Sequence, residues 1–285
     1  MDYKNGKWAE EILNAQLKDG SWGYFHCFAM PLKNKPITTE QALRRLASLG
    51  FSINDLPIKK AVQYMNTCLS GKNNVPDRFD KVHDSSVFNE MMLAGWIKYF
   101  TEENKLVNNV AKKWSEIINY AFYNNKYDHN LYIKKYSEIF NNKPKGPRLI
   151  DFLTFYQVIL LANILDKNVE PHYFKYVLKH NVGIYYVYGN GINKTPNIFN
   201  SKETNSYLNA IELLAKYDSL ECKNQLQFVK KWLKANMTKN NEWDLGNKSK
   251  DGINLPLSDS WRIEKDRIKD CTYRINKLLE NIKVY

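Results

Sequence analysis

The chain has 285 residues, 44% hydrophobic and 14% aromatic, enough to bury a sizeable core, and its net charge is +12. Lysine dominates the basic residues and is scattered along amphipathic segments, which argues for solvated faces and against sequence-selective nucleic-acid binding. Cys27, Cys68, Cys222 and Cys271 are too scattered for a disulfide framework, and neither a signal-type apolar run nor a membrane-length stretch is present, so a reducing cytoplasm is the expected location.

Helical periodicity predicts about eleven helices, at 6–18, 38–49, 55–69, 84–100, 103–124, 128–141, 148–166, 170–180, 202–217, 222–237 and 259–281. The first ends in Gln16-Leu17-Lys18-Asp19-Gly20-Ser21-Trp22. Gly20 suits the left-handed conformation that stops a helix, and Trp22 can pack back over the end just made. A small or polar turn followed by an aromatic recurs at Asn181 to Tyr185 and at Asn240-Asn241-Glu242-Trp243. Directly after the first corner, His26 stands in an aromatic neighbourhood that suits a proton-transfer role or a bonded core histidine.

Glu40 opens the second helix, and Asn54-Asp55-Leu56-Pro57 supplies a cap and a first-turn proline for the third. Asp80, His83 and Asp84 precede the fourth, where Asp84 suits either the positive end of the helix dipole or acid–base work. Val107, Val110, Ala111, Trp114, Ile117, Ile118 and Ala121 form one apolar stripe on the fifth. Residues 149–165 are apolar almost all round, so that helix belongs in an inner layer. Arg148 and Asp151, at i and i+3, stand at its start as an ion pair or part of a binding site. Gly183 to Tyr188 alone reads as extended.

In the last helix, Ile268, Cys271, Ile275, Leu278 and Ile282 share a face with Arg267 and Arg274, and Asp270 has the spacing of an ion-cluster partner to both. Arginine is scarce in this chain, yet Arg262, Arg267 and Arg274 fall within thirteen residues. With Trp243 and Trp261 as walls they read as an anion pocket, or else as a lock closing the chain's last helix on its first. His26, Asp84 and Asp270 are the acid–base candidates; Arg148, Asp151, Trp243, Trp261, Arg262, Arg267 and Arg274 are the ligand-binding candidates.

The Q-x-x-x-G-x-W corner at Gln16 to Trp22 resembles the repeat of squalene and oxidosqualene cyclases and, more loosely, of protein prenyltransferase β-subunits. The resemblance implies a single all-α domain over residues 1–285, an α/α toroid with inner and outer helices and a ligand in its central cavity. The reaction motifs of that superfamily are absent. There is no D-x-D-D to protonate an alkene and no D-D-x-x-D; Asp270 and Cys271 are adjacent and no His follows them, which departs from the zinc set of the prenyltransferases. No G-x-S-x-G, Walker loop, dinucleotide fingerprint or H-E-x-x-H occurs. No cofactor or metal is therefore expected. The expected partner is a small molecule with an apolar body and an anionic end. A saccharide- or polyanion-processing toroid enzyme and a non-catalytic interaction scaffold are the alternatives.

Overall fold

A computed structural model describes residues 3–26, 37–77, 85–144 and 153–284. Among them run α1 (Lys7–Asn14), α2 (Thr39–Ser48), α3 (Leu56–Leu69), α4 (Ser85–Phe100), α5 (Lys105–Ala121) and α6 (His129–Phe140). They continue with α7 (Phe155–Leu161), α8 (Glu170–Lys179), α9 (Lys202–Leu214), α10 (Leu220–Gln225), α11 (Gln227–Ala235) and α12 (Glu264–Asn281). Leu226 alone separates α10 from α11, so the two make up the one run expected at 222–237. The fold is all-α, with only isolated β-bridges among the described residues.

Side-chain caps explain many of the starts. Thr38 accepts from the backbone of Gln41 while Gln41 returns a bond to the backbone of Thr38, a full capping box. Asn104, Asp128, Thr154 and Ser201 cap α5, α6, α7 and α9 in the same sense. Two expected caps serve elsewhere. Asp55 stands at the N-cap of α3 with Pro57 in the first turn, but its carboxylate accepts from Ser52 and Lys4. Asp259 was expected to open the last helix; instead α12 starts at Glu264, and Asp259 accepts from the backbone N–H of Lys7 at 2.8 Å, capping α1 from the far end of the sequence.

Helices α4 and α7 form the centre. Met91 to Ile97 is an unbroken buried run in α4, and every residue of α7 is buried. A helix with no polar face needs neighbours all round, and α4 packs on α3, α5 and α7 while α7 also packs on α5 and α9. Gly95 permits the close approach of α4 to α7, since a Cβ there would stand 3.0 Å from the Tyr156 carbonyl oxygen. The inner helix is shorter than the apolar run suggested. Its described part begins at the Thr154 cap and ends at Ala162, and Asn163 then takes φ 62°. Gly183 to Tyr188 folds back on itself rather than running as a strand: Ile184 and Tyr188 exchange backbone bonds, and Tyr186 takes φ 69°.

The first and third corners share one geometry. The indole N–H of Trp22 donates to the Ile12 carbonyl at 2.8 Å, and that of Trp243 donates to the Leu233 carbonyl at the same distance. Each Trp backbone N–H donates to a threonine hydroxyl, Thr39 or Thr272. Gly20 (φ 92°) and Asn241 (φ 60°) supply the left-handed residue two positions earlier. Gln16 ties its corner to the third helix by donating to the carbonyls of Gly20 and Pro57. The middle corner keeps the left-handed glycine, Gly183, but Tyr185 pairs its backbone with Leu153 and anchors no ring in this way.

The two ends of the chain meet. Tyr3 donates to Asp270 in α12, the Trp8 indole donates to the Ser258 carbonyl, and Arg45 and Ser48 of α2 hold the Ile253 carbonyl. No helix of the described residues is long and apolar enough to cross a membrane.

Candidate functional site

Five helices that are not consecutive in the chain contribute to one cavity of about 190 Å³. Arg44 comes from α2, Trp96 and Tyr99 from α4, Phe155 from α7, Asn209 and Glu212 from α9, and Tyr273, Arg274 and Lys277 from α12; Lys216 follows α9 directly. One wall is aromatic: Trp96 and Phe155 have ring centroids 4.7 Å apart, and Tyr99 leans on both. Tyr273 and Lys277 also border an open groove along the outer face of α12, so they stand at the rim between cavity and surface.

The charges are unequally compensated. Arg274 is buried and saturated, donating to both carboxylate oxygens of Glu212 and to the side-chain oxygens of Asn205 and Asn209. Burial alone would lower its pKa, but the charge and hydrogen bonds of Glu212 outweigh this and raise it. Arg44 pairs with the fully buried Glu40 at 2.9 Å and lies 4.2 Å over the Phe155 ring. Glu40 in turn accepts from the Trp96 indole and the Tyr156 hydroxyl. Its start-of-helix position in the sequence hid this buried role.

Lys216 and Lys277 form no salt bridge among the described residues. The Lys216 ammonium instead lies 4.2 Å over the Tyr99 ring. Burial, and then the neighbouring Lys277, hold its pKa below the usual lysine range against the opposing pull of Asp218 and Glu212. Burial, with Glu212 nearby, also pushes the Tyr99 hydroxyl up to about 12. Four cations therefore approach the cavity while two carboxylates, Glu212 and Glu40, are already committed to the two arginines.

Of the ligand-binding residues expected from sequence, Arg274 lines this cavity. Arg267 does not: it forms a bidentate pair with Asp244, both bonds at 2.7 Å, and reaches Glu264. That pair lowers the Asp244 pKa and raises that of Arg267. Arg262 is exposed. Trp243 is spent on its corner, and Trp261 donates its indole N–H to Asp270. Arg148, Asp151 and Asp84 lie outside the described residues.

The expected cluster of Arg267, Asp270 and Arg274 does not form. Asp270 is fully buried and accepts from the Trp261 indole, the backbone of Leu257 and Ser258, the Ser258 hydroxyl and the Tyr3 hydroxyl. Helical spacing allowed the ion cluster, but each charged group found stronger partners on another element. Five donors on a sealed carboxylate describe a fastener.

His26 belongs to a separate aromatic group. Its ring is 4.6 Å from Tyr186 and near Tyr156 and Phe88, and its backbone N–H donates to Asp77. Burial raises the Asp77 pKa even though it accepts from Phe25 and His26. Cys271 is buried, which pushes its thiol up to about 12, away from thiolate chemistry. Among the described residues no three His, Cys, Asp or Glu side chains gather as a metal-ligand set.

Sequence reasoning missed Arg44, Lys216, Lys277, Trp96, Tyr99 and Phe155. Phe155 sat within the apolar run taken as inner, but two surface-type lysines carried no local signal. Their convergence depends on how α9 and α12 pack. Comparison with family models, with curated proteins and with solved structures finds no match.

Proposed function

We propose that the chain is an α/α toroid whose central cavity binds a small molecule with an apolar, preferably aromatic, body and a carboxylate. Two observations support the ring. Five non-consecutive helices, α2, α4, α7, α9 and α12, reach one cavity, and the Tyr3–Asp270 and Trp8–Ser258 bonds join the chain's two ends. Both are as expected of the cyclase-like scaffold that the Gln16 to Trp22 corner resembles.

The observation that carries the ligand reading is the pair Lys216 and Lys277, cations without carboxylate partners, beside an aromatic wall. Lys216 is half-buried and Lys277 is exposed at the rim, so an anion drawn between them would compensate the partly desolvated charge of Lys216. A cavity of about 190 Å³ is only somewhat larger than one that holds benzene. A ligand on the order of ten non-hydrogen atoms would fill it.

Calorimetric titration with phenylacetate, benzoate and isovalerate, beside the neutral phenylacetamide and benzamide, tests this. The carboxylates bind, the amides bind at least roughly tenfold more weakly, and Lys277→Met abolishes the difference. Equal affinity for acids and amides would remove the anion seat; a complete lack of binding by these ligands would remove the site.

A further inference from the structure

We infer that Lys216 forms a covalent imine with the carbonyl of a small 2-oxo acid seated in the central cavity. This deepens the proposed carboxylate-binding role and rests on it.

Placement is the first support. The Lys216 side chain lines the aromatic-walled cavity and lies 4.2 Å over the Tyr99 ring, with no salt bridge to a carboxylate among the described residues. A lysine becomes a nucleophile when it is desolvated or stands beside another cation, and both conditions meet here, with Lys277 as the second cation.

Anchoring is the second. The Asn163 side-chain amide donates to the Lys216 carbonyl at 2.9 Å, and its oxygen accepts from Asp218 at 2.8 Å. Asn163 itself takes φ 62°, an uncommon conformation for a non-glycine residue that these bonds hold in place. The backbone that carries the Lys216 side chain is thus tied to the end of α7.

The surroundings fit the substrate class. Lys277 at the rim offers a charge to the carboxylate, Trp96 and Phe155 accept an apolar side group, and Lys216 meets the adjacent carbonyl carbon. The step balances: R–NH3+ and O=C combine to give R–NH+=C and one water. The ammonium first gives up a proton, the lone pair of the amine then forms the new bond, two protons in all leave with the carbonyl oxygen as water, and nothing is oxidised or reduced.

Reductive trapping tests it. The full-length protein is incubated with phenylpyruvate and cyanoborohydride, and the labelled lysine is located by peptide mass mapping. Lys216 is expected to label roughly tenfold or more faster than exposed lysines, with phenylacetate blocking the label and Lys216→Arg abolishing it. Labelling spread over surface lysines, labelling of Lys277 instead, or an unchanged rate in Lys216→Arg overturns the imine. Calorimetry with phenylacetate on the same preparation separates the two claims. Binding without Lys216 labelling removes the imine and leaves the carboxylate site; neither binding nor labelling removes both.

Discussion

Trp22 and Trp243, near opposite ends of the chain, fasten their corners identically: each indole donates to the carbonyl ten residues earlier, Ile12 or Leu233. Both carbonyls also keep a bond from the helix cap, Ala15 or Asn236, so losing the indole does not orphan them. Trp22→Phe and Trp243→Phe should therefore each cost about 1 kcal/mol for the bond, plus a packing term for the smaller ring, about 1–3 kcal/mol together. Urea unfolding of both variants checks the equivalence. A clear loss at one corner and none at the other would show that the shared bonds do unequal work.

Gly20 should be far less replaceable than Gly50, another left-handed glycine at a helix end. At φ 92° a Cβ would stand 2.4 Å from the Lys60 carbonyl oxygen, a backbone atom that cannot move aside. Gly50 has φ 93° but faces open space, so it isolates the conformational cost. Gly50→Ala is expected to lose about 1–2 kcal/mol, and Gly20→Ala several times that, with failure to fold as the extreme. Similar melting temperatures for the two variants would refute the close contact.

These corners also mark where sequence stops being sufficient. Helix positions were legible because the apolar stripes of segments such as 107–121 have a local period, and because caps such as Asn104 and Thr38 sit next to what they cap. The site was legible only in part. Arg274 was found because an arginine on an apolar stripe must be partnered, yet its partners Glu212, Asn205 and Asn209 lie on α9, out of reach of any spacing rule. Arg267 carried the same signal and turned to Asp244. Lys216 carried none, since its place over the Tyr99 ring is a property of packing.

Asp270→Asn separates a fastener from a catalyst. The carboxylate takes five donors, three of them from Leu257 and Ser258 and one each from Trp261 and Tyr3. An amide presents N–H groups to some of those donors, so about 3 kcal/mol or more of stability should be lost. The 257–261 segment and the N-terminus should then exchange backbone hydrogens faster. A variant of undiminished stability would return Asp270 to the list of acid–base candidates.

Lys98 makes a pH-dependent prediction. It donates to the carbonyls of Leu160 and Ala162 at the end of α7, and burial pulls its pKa from 10.5 to about 8. Between those values the unfolded chain binds the proton and the folded chain does not, so this residue's contribution makes stability rise as pH climbs through the window. Lys98→Met leaves both carbonyls without that donor and should cost about 1–3 kcal/mol. It should also flatten the rise relative to the parent protein. Urea midpoints across that pH range measure both effects, and parallel pH profiles for the two proteins would show that Lys98 does not titrate there.

Arg267 and Arg274 lie two turns apart on α12, and their replacement should divide stability from binding. Arg274 is buried, and removing it strands the Glu212 carboxylate together with two amide oxygens, so Arg274→Met should cost about 3–5 kcal/mol. Arg267 is partly solvated, and its partner Asp244 can turn to water, so Arg267→Ala should cost about 1 kcal/mol. It should also leave carboxylate affinity unchanged, because Arg267 does not line the cavity. Arg274→Met combined with Glu212→Leu removes both charges of the pair, and should recover part of the lost stability while Lys216 and Lys277 still draw the ligand in. Loss of carboxylate binding in Arg267→Ala, with the protein still folded, would move the anion seat from the cavity to the Asp244 side of α12.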